Sequence, residues 1–127
     1  MPDVYYRLLG VSGWLELKFR STWPARDGPV TLKTLTTEQV RWLEAERRAG
    51  GLAWILALIS NEYLIPAPAH WEAIATTGVS KKELVSEALY YGAGTAGFSA
   101  GRIVRVLIGK PARTKTAGND VGGTTAC

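Results

Sequence analysis

Two short runs rich in aromatic and aliphatic residues open the chain, Val4 to Leu9 and Trp14 to Phe19, with Gly10-Val11-Ser12-Gly13 between them. Runs of this composition around a glycine-bearing break predict a β-hairpin. Side chains alternate across a strand, so Glu16 and Lys18 share one face of the second strand, about 7 Å apart by strand rise, and Leu15, Leu17 and Phe19 share the other. A loop of two or four residues places odd positions of the first strand with even positions of the second. Asp3 then joins Glu16 and Lys18, flanked by Tyr5, Arg7, Trp14 and Arg20, while Val4, Tyr6 and Leu8 complete an apolar face. An odd loop would mix charges into that face at several kcal/mol per unpaired buried charge, so the even register is expected.

Residues 20 to 34, with Pro24, Asp27-Gly28 and Pro29, predict a basic loop that cannot continue the strand. Leu35-Thr36 and Gln39 form a capping box, with Leu35 stapled onto Val40, and open a helix that Gly50-Gly51 ends. Leu52 to Ile59 is a continuous apolar run of strand length, expected to be buried on both faces, and Tyr63 to Ile65 is a short strand after a turn. Beyond Pro66 and Pro68 the pattern turns helical: a short piece at Trp71 to Ala75, then a helix capped by Ser80 with Glu83 and closed by Gly92. Residues 92 to 101 are glycine-rich and predict a loop. Gly101 to Ile108 reads as a last helix capped by Ser99, or alternatively as a strand. Residues 111 to 127 have almost nothing to bury and predict a disordered tail. The whole is an α/β (α+β) pattern in three parts: a hairpin–helix–strand core over 1–65, a helical extension over 66–110 packed on it, and the tail.

Composition narrows the possibilities. With 127 residues, 46% hydrophobic and 20% charged, the chain can fold as one domain around a modest core. Its net charge of +4 favours an anionic partner. The single cysteine, Cys127, excludes an internal disulfide framework and a cysteine-based zinc site, which fits a reducing cytoplasmic setting. The longest apolar run is too short to span a bilayer, so no membrane association is expected.

The chemistry lies on the charged face of the hairpin. Two carboxylates close together on adjacent strands repel unless a cation lies between them, and oxygen ligands without nearby His or Cys suit Mg²⁺ or Mn²⁺. The Leu17 carbonyl offers a third ligand, and Lys18 can orient water or neutralise charge developing on a phosphate. Gln39 either helps to position water or phosphate at the site, or serves only its cap. Arg20, Arg26 and Lys33, beside the strand or on the loop leaving it, either follow a DNA backbone or are a solvated surface; Arg7 extends the same face. His70 has no second His or Cys placed to make a zinc site and reads as structural.

Pro2-Asp3, a short strand and turn, and then Glu16-Leu17-Lys18 resemble the motif of the PD-(D/E)XK nuclease superfamily. The resemblance is to its VRR-NUC and Holliday-junction resolvase-like branch, often phage-encoded, and Leu35-Thr36-Thr37-Glu38-Gln39, Gly50-Gly51 and Ala53-Trp54-Ile55-Leu56 follow that branch's order. It covers about residues 2 to 65. It implies a restriction-endonuclease-like core and a Mg²⁺-dependent endonuclease acting on DNA, structure-specific in the sense of branched DNA, in the host cytoplasm. Asp3, Glu16, Lys18 and Gln39 are then catalytic, Asp3, Glu16 and Leu17 hold the metal, and Arg7, Arg20, Arg26 and Lys33 bind DNA. Members of the family carry a further helix and strand before the PD dipeptide, whereas here Asp3 is the third residue: either a partner subunit or another chain supplies these elements, or the start codon is misassigned, or the chain is a decayed nuclease, and a homodimer is the simplest remedy for the uncovered edge. The competing expectation is a non-catalytic accessory protein that keeps the hairpin as scaffold and binds nucleic acid or inhibits a host protein.

Overall fold

The structure, a computed structural model, describes residues 3–94 and 98–109. The hairpin is present as β1 (Val4–Leu8) and β2 (Val11–Arg20), paired antiparallel with Val4 opposite Leu15 and Leu8 opposite Val11. Its turn is the dipeptide Leu9-Gly10, both at positive φ (52° and 80°), as the tight two-residue hairpin turns require. The loop is therefore even and the expected parity holds. It lies earlier than the glycine spacing suggested, and Val11 to Gly13 belong to the strand. The reason is Tyr6, which pairs across the hairpin with Gly13. A Cβ on Gly13 would collide with the Tyr6 phenol and lie 2.8 Å from the Leu52 carbonyl oxygen. This glycine admits a neighbouring ring instead of making a turn.

The segment leaving β2 makes a short 3-10 turn at Ala25–Asp27, then is tied down. Val30 exchanges two backbone hydrogen bonds with Val79 (2.8 and 3.1 Å), the Leu32 N–H donates to the Ile74 carbonyl (3.0 Å), and Val30, Leu32 and Leu35 are buried. Helix α1 (Thr37–Arg48) starts at the capping box, with both reciprocal Thr36–Gln39 bonds made. It ends as a Schellman motif: the Gly51 N–H reaches the Glu46 carbonyl, the Gly50 N–H reaches that of Arg47, and Gly50 has φ 94°. β3 (Ala53–Ile59) follows, parallel to β2, and β4 (Glu62–Ile65) turns back antiparallel.

Past the prolines come α2 (Trp71–Ala75) and α3 (Lys81–Ser86), the latter with the Ser80 hydroxyl accepting from the Glu83 N–H. The helix expected to continue to Gly92 stops at Ser86, and Tyr90–Ala93 instead forms β5, antiparallel to β4. Two adjacent tyrosines suit a strand because they point to opposite faces and each finds a partner. The Tyr90 hydroxyl accepts from the Ser99 N–H (2.9 Å), and the Tyr91 hydroxyl donates to Glu62 (2.6 Å). Helix α4 (Ala100–Leu107), capped by Ser99, completes the order and settles the helix-or-strand alternative.

The result is a mixed α/β architecture on a five-stranded, mostly antiparallel sheet in the order β1-β2-β3-β4-β5. The expected helical span 66–110 thus contributes a strand to the sheet of the first 65 residues. Both faces carry helices, the second covered only in part. On one, α1, α2 and α3 pack Val40, Leu43, Trp71, Ile74 and Leu84 over Ile55, Ala57, Ile59 and Leu64. On the other, Ile103, Val106 and Leu107 of α4 pack on Tyr6, Leu15, Trp54, Ile65 and Tyr90. The Tyr6 hydroxyl donates to the Leu107 carbonyl and accepts from the Trp54 indole (2.9 Å), pinning the end of α4 to the hairpin. Among the described residues no helix is long and apolar enough to cross a membrane. Pro2, Cys127 and the expected tail over 111–127 lie outside the described residues.

Candidate functional site

The charged residues of the hairpin do share a face, but it is not a solvated one. Because β3 lies parallel beside β2, Ile55 and Ala57 sit next to Glu16 and Lys18, and α1 closes over them. Glu16 is 1% and Lys18 7% exposed, inside the larger core's sheet face. The expected separation of site from core is corrected accordingly: Phe19, expected on the apolar core face, is 69% exposed to solvent, while Glu16 and Lys18 are buried.

Their polar partners are specific. Lys18 Nζ lies 2.9 Å from Glu16 Oε2 and donates to the Thr34 carbonyl at 2.9 Å. Gln39 Nε2 donates to Glu16 Oε2 at 3.3 Å. The Gln39 amide is oriented by the cap, because its Oε1 accepts the Thr36 N–H (3.0 Å), a group that can only donate. Capping and contact with the site, posed as alternatives by the sequence, are met by opposite ends of one amide. Among the described residues Glu16 Oε1 is buried without a hydrogen-bond partner.

Asp3 stands at the rim, exposed, with Oδ2 accepting the Leu17 N–H at 2.9 Å. Trp14 and Arg20 direct backbone groups to β3 neighbours, so odd residues of β2 direct theirs toward β1. A strand residue's N–H and C=O point to the same side, which turns the Leu17 carbonyl, like its N–H, to the β1 side of β2. Both carboxylates and the carbonyl thus belong to one end of the hairpin, with Asp3 across from Glu16 in the register. All three donors are oxygens, and Glu16 Oε1 has an unmet acceptor capacity, so the set fits a hard divalent cation.

Arg20 and Lys33 come together with Thr22, Thr31 and Thr34 around a pocket of about 370 Å³, where the Arg20 guanidinium donates to the Thr31 carbonyl at 2.8 Å. Thr34 joins this basic pocket to Lys18. Arg26 is not part of it; it sits at the exposed loop tip with φ 57°. Arg7 lies on β1 beyond Asp3 on the same face, about 13 Å along the strand.

Two clusters escaped the sequence reading. Glu62, placed there in a turn, opens β4 and accepts from Trp23 (2.9 Å) and Tyr91 (2.6 Å), with Lys81 Nζ at 3.3 Å. Burial alone would raise its carboxyl pKa, but the hydrogen bonds from Tyr91, Trp23 and Lys81 and the Lys81 charge outweigh it and hold the group below its usual range. The same hydrogen bond, with burial and the Glu62 charge, pushes the Tyr91 phenol up to about 12. Nothing short of the tertiary fold brings these four elements together. Secondly, His70 has partners after all: Glu83 and Glu87 offer ligand atoms within 4.8 Å of one another and of His70, a group that could hold a metal ion, with His70 Nε2 2.7 Å from Glu87 Oε1. The i, i+4 spacing of the glutamates was the available signal, missed by seeking only His and Cys.

No family model, curated protein or solved structure matches this chain.

Proposed function

We propose that this protein is a divalent-metal-dependent DNA endonuclease that hydrolyses phosphodiester bonds, with branched DNA as its structural preference. The observation that carries the reading is the buried, unpartnered Glu16 Oε1, with Asp3 across the hairpin from Glu16 in the register and bonded to the Leu17 N–H. Lys18 meets the Glu16 charge at Oε2, but leaving Oε1 buried without a donor costs about 1–3 kcal/mol, and a cation bound there removes that cost. Asp3, Glu16 and the Leu17 carbonyl would hold Mg²⁺ or Mn²⁺, which when bound supplies Lewis acidity and lowers the pKa of water. Lys18, fixed between Glu16 and Thr34, presents an ammonium where charge develops on the phosphate. Gln39 fixes the Glu16 carboxylate from the helix side, and Arg7, Arg20, Arg26 and Lys33 follow the DNA backbone. A homodimer belongs to the same proposal, supported by the apolar groove that Leu17, Phe19, Leu56, Leu58 and Tyr63 leave open on the opposite face; a monomer by light scattering at micromolar concentration would remove it.

The test pairs Mn²⁺ titration calorimetry with cleavage of linear, supercoiled and four-way-junction DNA in Mg²⁺, Mn²⁺ and EDTA. Glu16→Gln and Asp3→Asn are expected to abolish metal binding and cleavage while DNA binding survives. Lys18→Ala is expected to keep the metal and slow cleavage about a hundredfold or more. Wild type that binds no divalent ion and cuts no DNA ends the reading. One observation favours a second reading: Lys18 already pairs with Glu16 at 2.9 Å. A non-catalytic accessory protein would keep that pair as a purely structural ion pair and bind nucleic acid or a host protein through its basic surface.

A further inference from the structure

Each of the three elements that builds the Asp3–Glu16–Gln39 site also places one aromatic ring immediately beside it. Tyr5 is two residues from Asp3 on β1, Trp14 two residues from Glu16 on β2, and both lie on the site's face, about 7 Å from their acidic neighbours. Trp42 is one helical turn from Gln39 on α1. The rings meet: Tyr5 and Trp14 have centroids 4.9 Å apart at 59°, and Trp14 and Trp42 5.6 Å apart at 86°. We propose that Tyr5, Trp14 and Trp42 form a stacking platform for an unpaired DNA base beside the Asp3–Glu16 site, which makes DNA with a single-stranded segment the substrate class. For its location at a catalytic site this rests on the nuclease reading.

Trp14 and Trp42 pack against the edge of the α1-side core, but packing does not account for Tyr5 or for the ring surface left uncovered. Tyr5 is 54% exposed on the edge strand, and Trp14 and Trp42 are half-buried, so the trio keeps ring surface toward solvent. Trp42 also lines a pocket of about 610 Å³ with Thr36, Glu38, Gln39 and Arg41, within the range of roughly 300–1,000 Å³ usual for small-ligand sites. Its charges discriminate between the parts of a nucleotide. Glu38 repels a phosphate but accepts from the exocyclic amines of bases, while Arg41 at the pocket and Arg7, two residues beyond Tyr5, can take the flanking phosphates. A stacked duplex base cannot present its face to these rings, whereas an unpaired base can, whatever its identity.

The test measures anisotropy in EDTA, which separates binding from cutting, with a labelled single-stranded oligodeoxycytidine and a blunt duplex of equal length. Wild type is expected to prefer the single strand, with quenching of tryptophan fluorescence. Tyr5→Ala, at an exposed position where folding is not at stake, and Trp42→Leu are each expected to weaken single-strand binding about tenfold or more. Phe98→Ala removes an aromatic of similar exposure (46%) from the opposite face, where it packs on Tyr63, and is expected to leave the preference intact. Equal wild-type affinity for both DNAs, or single-strand affinity of Tyr5→Ala within twofold of wild type, overturns the platform. Cleavage with Mn²⁺ is scored separately. Lost preference in the variants without any cleavage by wild type keeps the platform and removes the nuclease; cleavage with unaltered variants does the reverse. A wild type that binds neither DNA defeats both.

Discussion

Gln39 holds two structures together with one amide, the start of α1 through Oε1 and the Glu16 carboxylate through Nε2. The two roles are separable by substitution. Gln39→Glu keeps the cap, since glutamate serves the same third-position role, but sets a second carboxylate against a buried one. In EDTA this is expected to lower stability by about 1–3 kcal/mol, by analogy with other unpaired buried groups, and Mn²⁺ is expected to restore much of it. Chemical denaturation with and without the ion checks both; equal stability in EDTA would show that Gln39 and Glu16 are not coupled. Gly13 gives a second outcome at this scale. Gly13→Ala drives a methyl into the Tyr6 phenol and the Leu52 carbonyl, and overpacking of this kind costs about 1–3 kcal/mol. If the ring is the cause, Tyr6→Leu in the same chain recovers part of the loss, a coupling that a double-mutant cycle reads directly.

At the scale of elements, sequence served best where local chemistry decides. The Thr36–Gln39 box, the Gly50-Gly51 stop, the Ser80 and Ser99 caps and the doubly buried β3 are all written in residues that act on near neighbours. The even parity of the hairpin was legible because only one register keeps charges out of the apolar face. What could not be read is what depends on distant partners. Gly13 resembles a turn residue until Tyr6 is placed across from it. Leu84 to Leu89 continues a helical stripe, yet the chain leaves the helix because Tyr90 and Tyr91 find Ser99 and Glu62, and Leu89 finds the Ile65 carbonyl. The Glu62 cluster is the energetic counterpart of that switch, and it titrates. The Glu62 pKa is depressed from 4.5, so its contribution is fully present above that value and is lost as pH falls through the lower folded-state value. Tyr91 is raised from 10.0 to about 12, so its contribution is present below pH 10.0 and is lost as pH rises toward 12. Glu62→Gln is expected to cost about 1–2 kcal/mol at neutral pH, allowing for partial solvent exposure. The deficit against wild type should shrink as pH falls below 4.5, and the Tyr91 phenol should ionise at lower pH, visible as earlier tyrosinate absorbance. A deficit constant from acid to alkali would show that the Glu62 charge does not tie β4 to β5.

Across the whole molecule the two sheet faces divide the work. The α1 side carries the buried carboxylate, the lysine, the aromatic trio and the basic pocket, whereas the α4 side is an apolar seat for one amphipathic helix. A net charge of +4 is modest, so under the proposed nuclease reading its placement decides whether DNA would be steered to the site or held only diffusely. Arg7 and Lys33 flank the site on its own face and are exposed; Arg105 is also exposed, but on α4, against the other face. Each cation that pairs with a phosphate releases a counterion, so removing one lowers the salt slope of binding by about one. Arg7→Gln and Lys33→Gln are each expected to reduce the slope of log affinity against log salt concentration by about that amount, and Arg105→Gln to leave it unchanged. The measurement is fluorescence anisotropy over a salt series in EDTA, where the metal makes no contribution. If the Arg105 variant loses as much slope as the other two, DNA is held by overall charge without a preferred face, and the position of the carboxylates has nothing to do with where the backbone lies. If Arg7 and Lys33 alone change it, the phosphate track passes along both ends of the Asp3–Glu16 rim, which is the path a scissile bond must take to reach it.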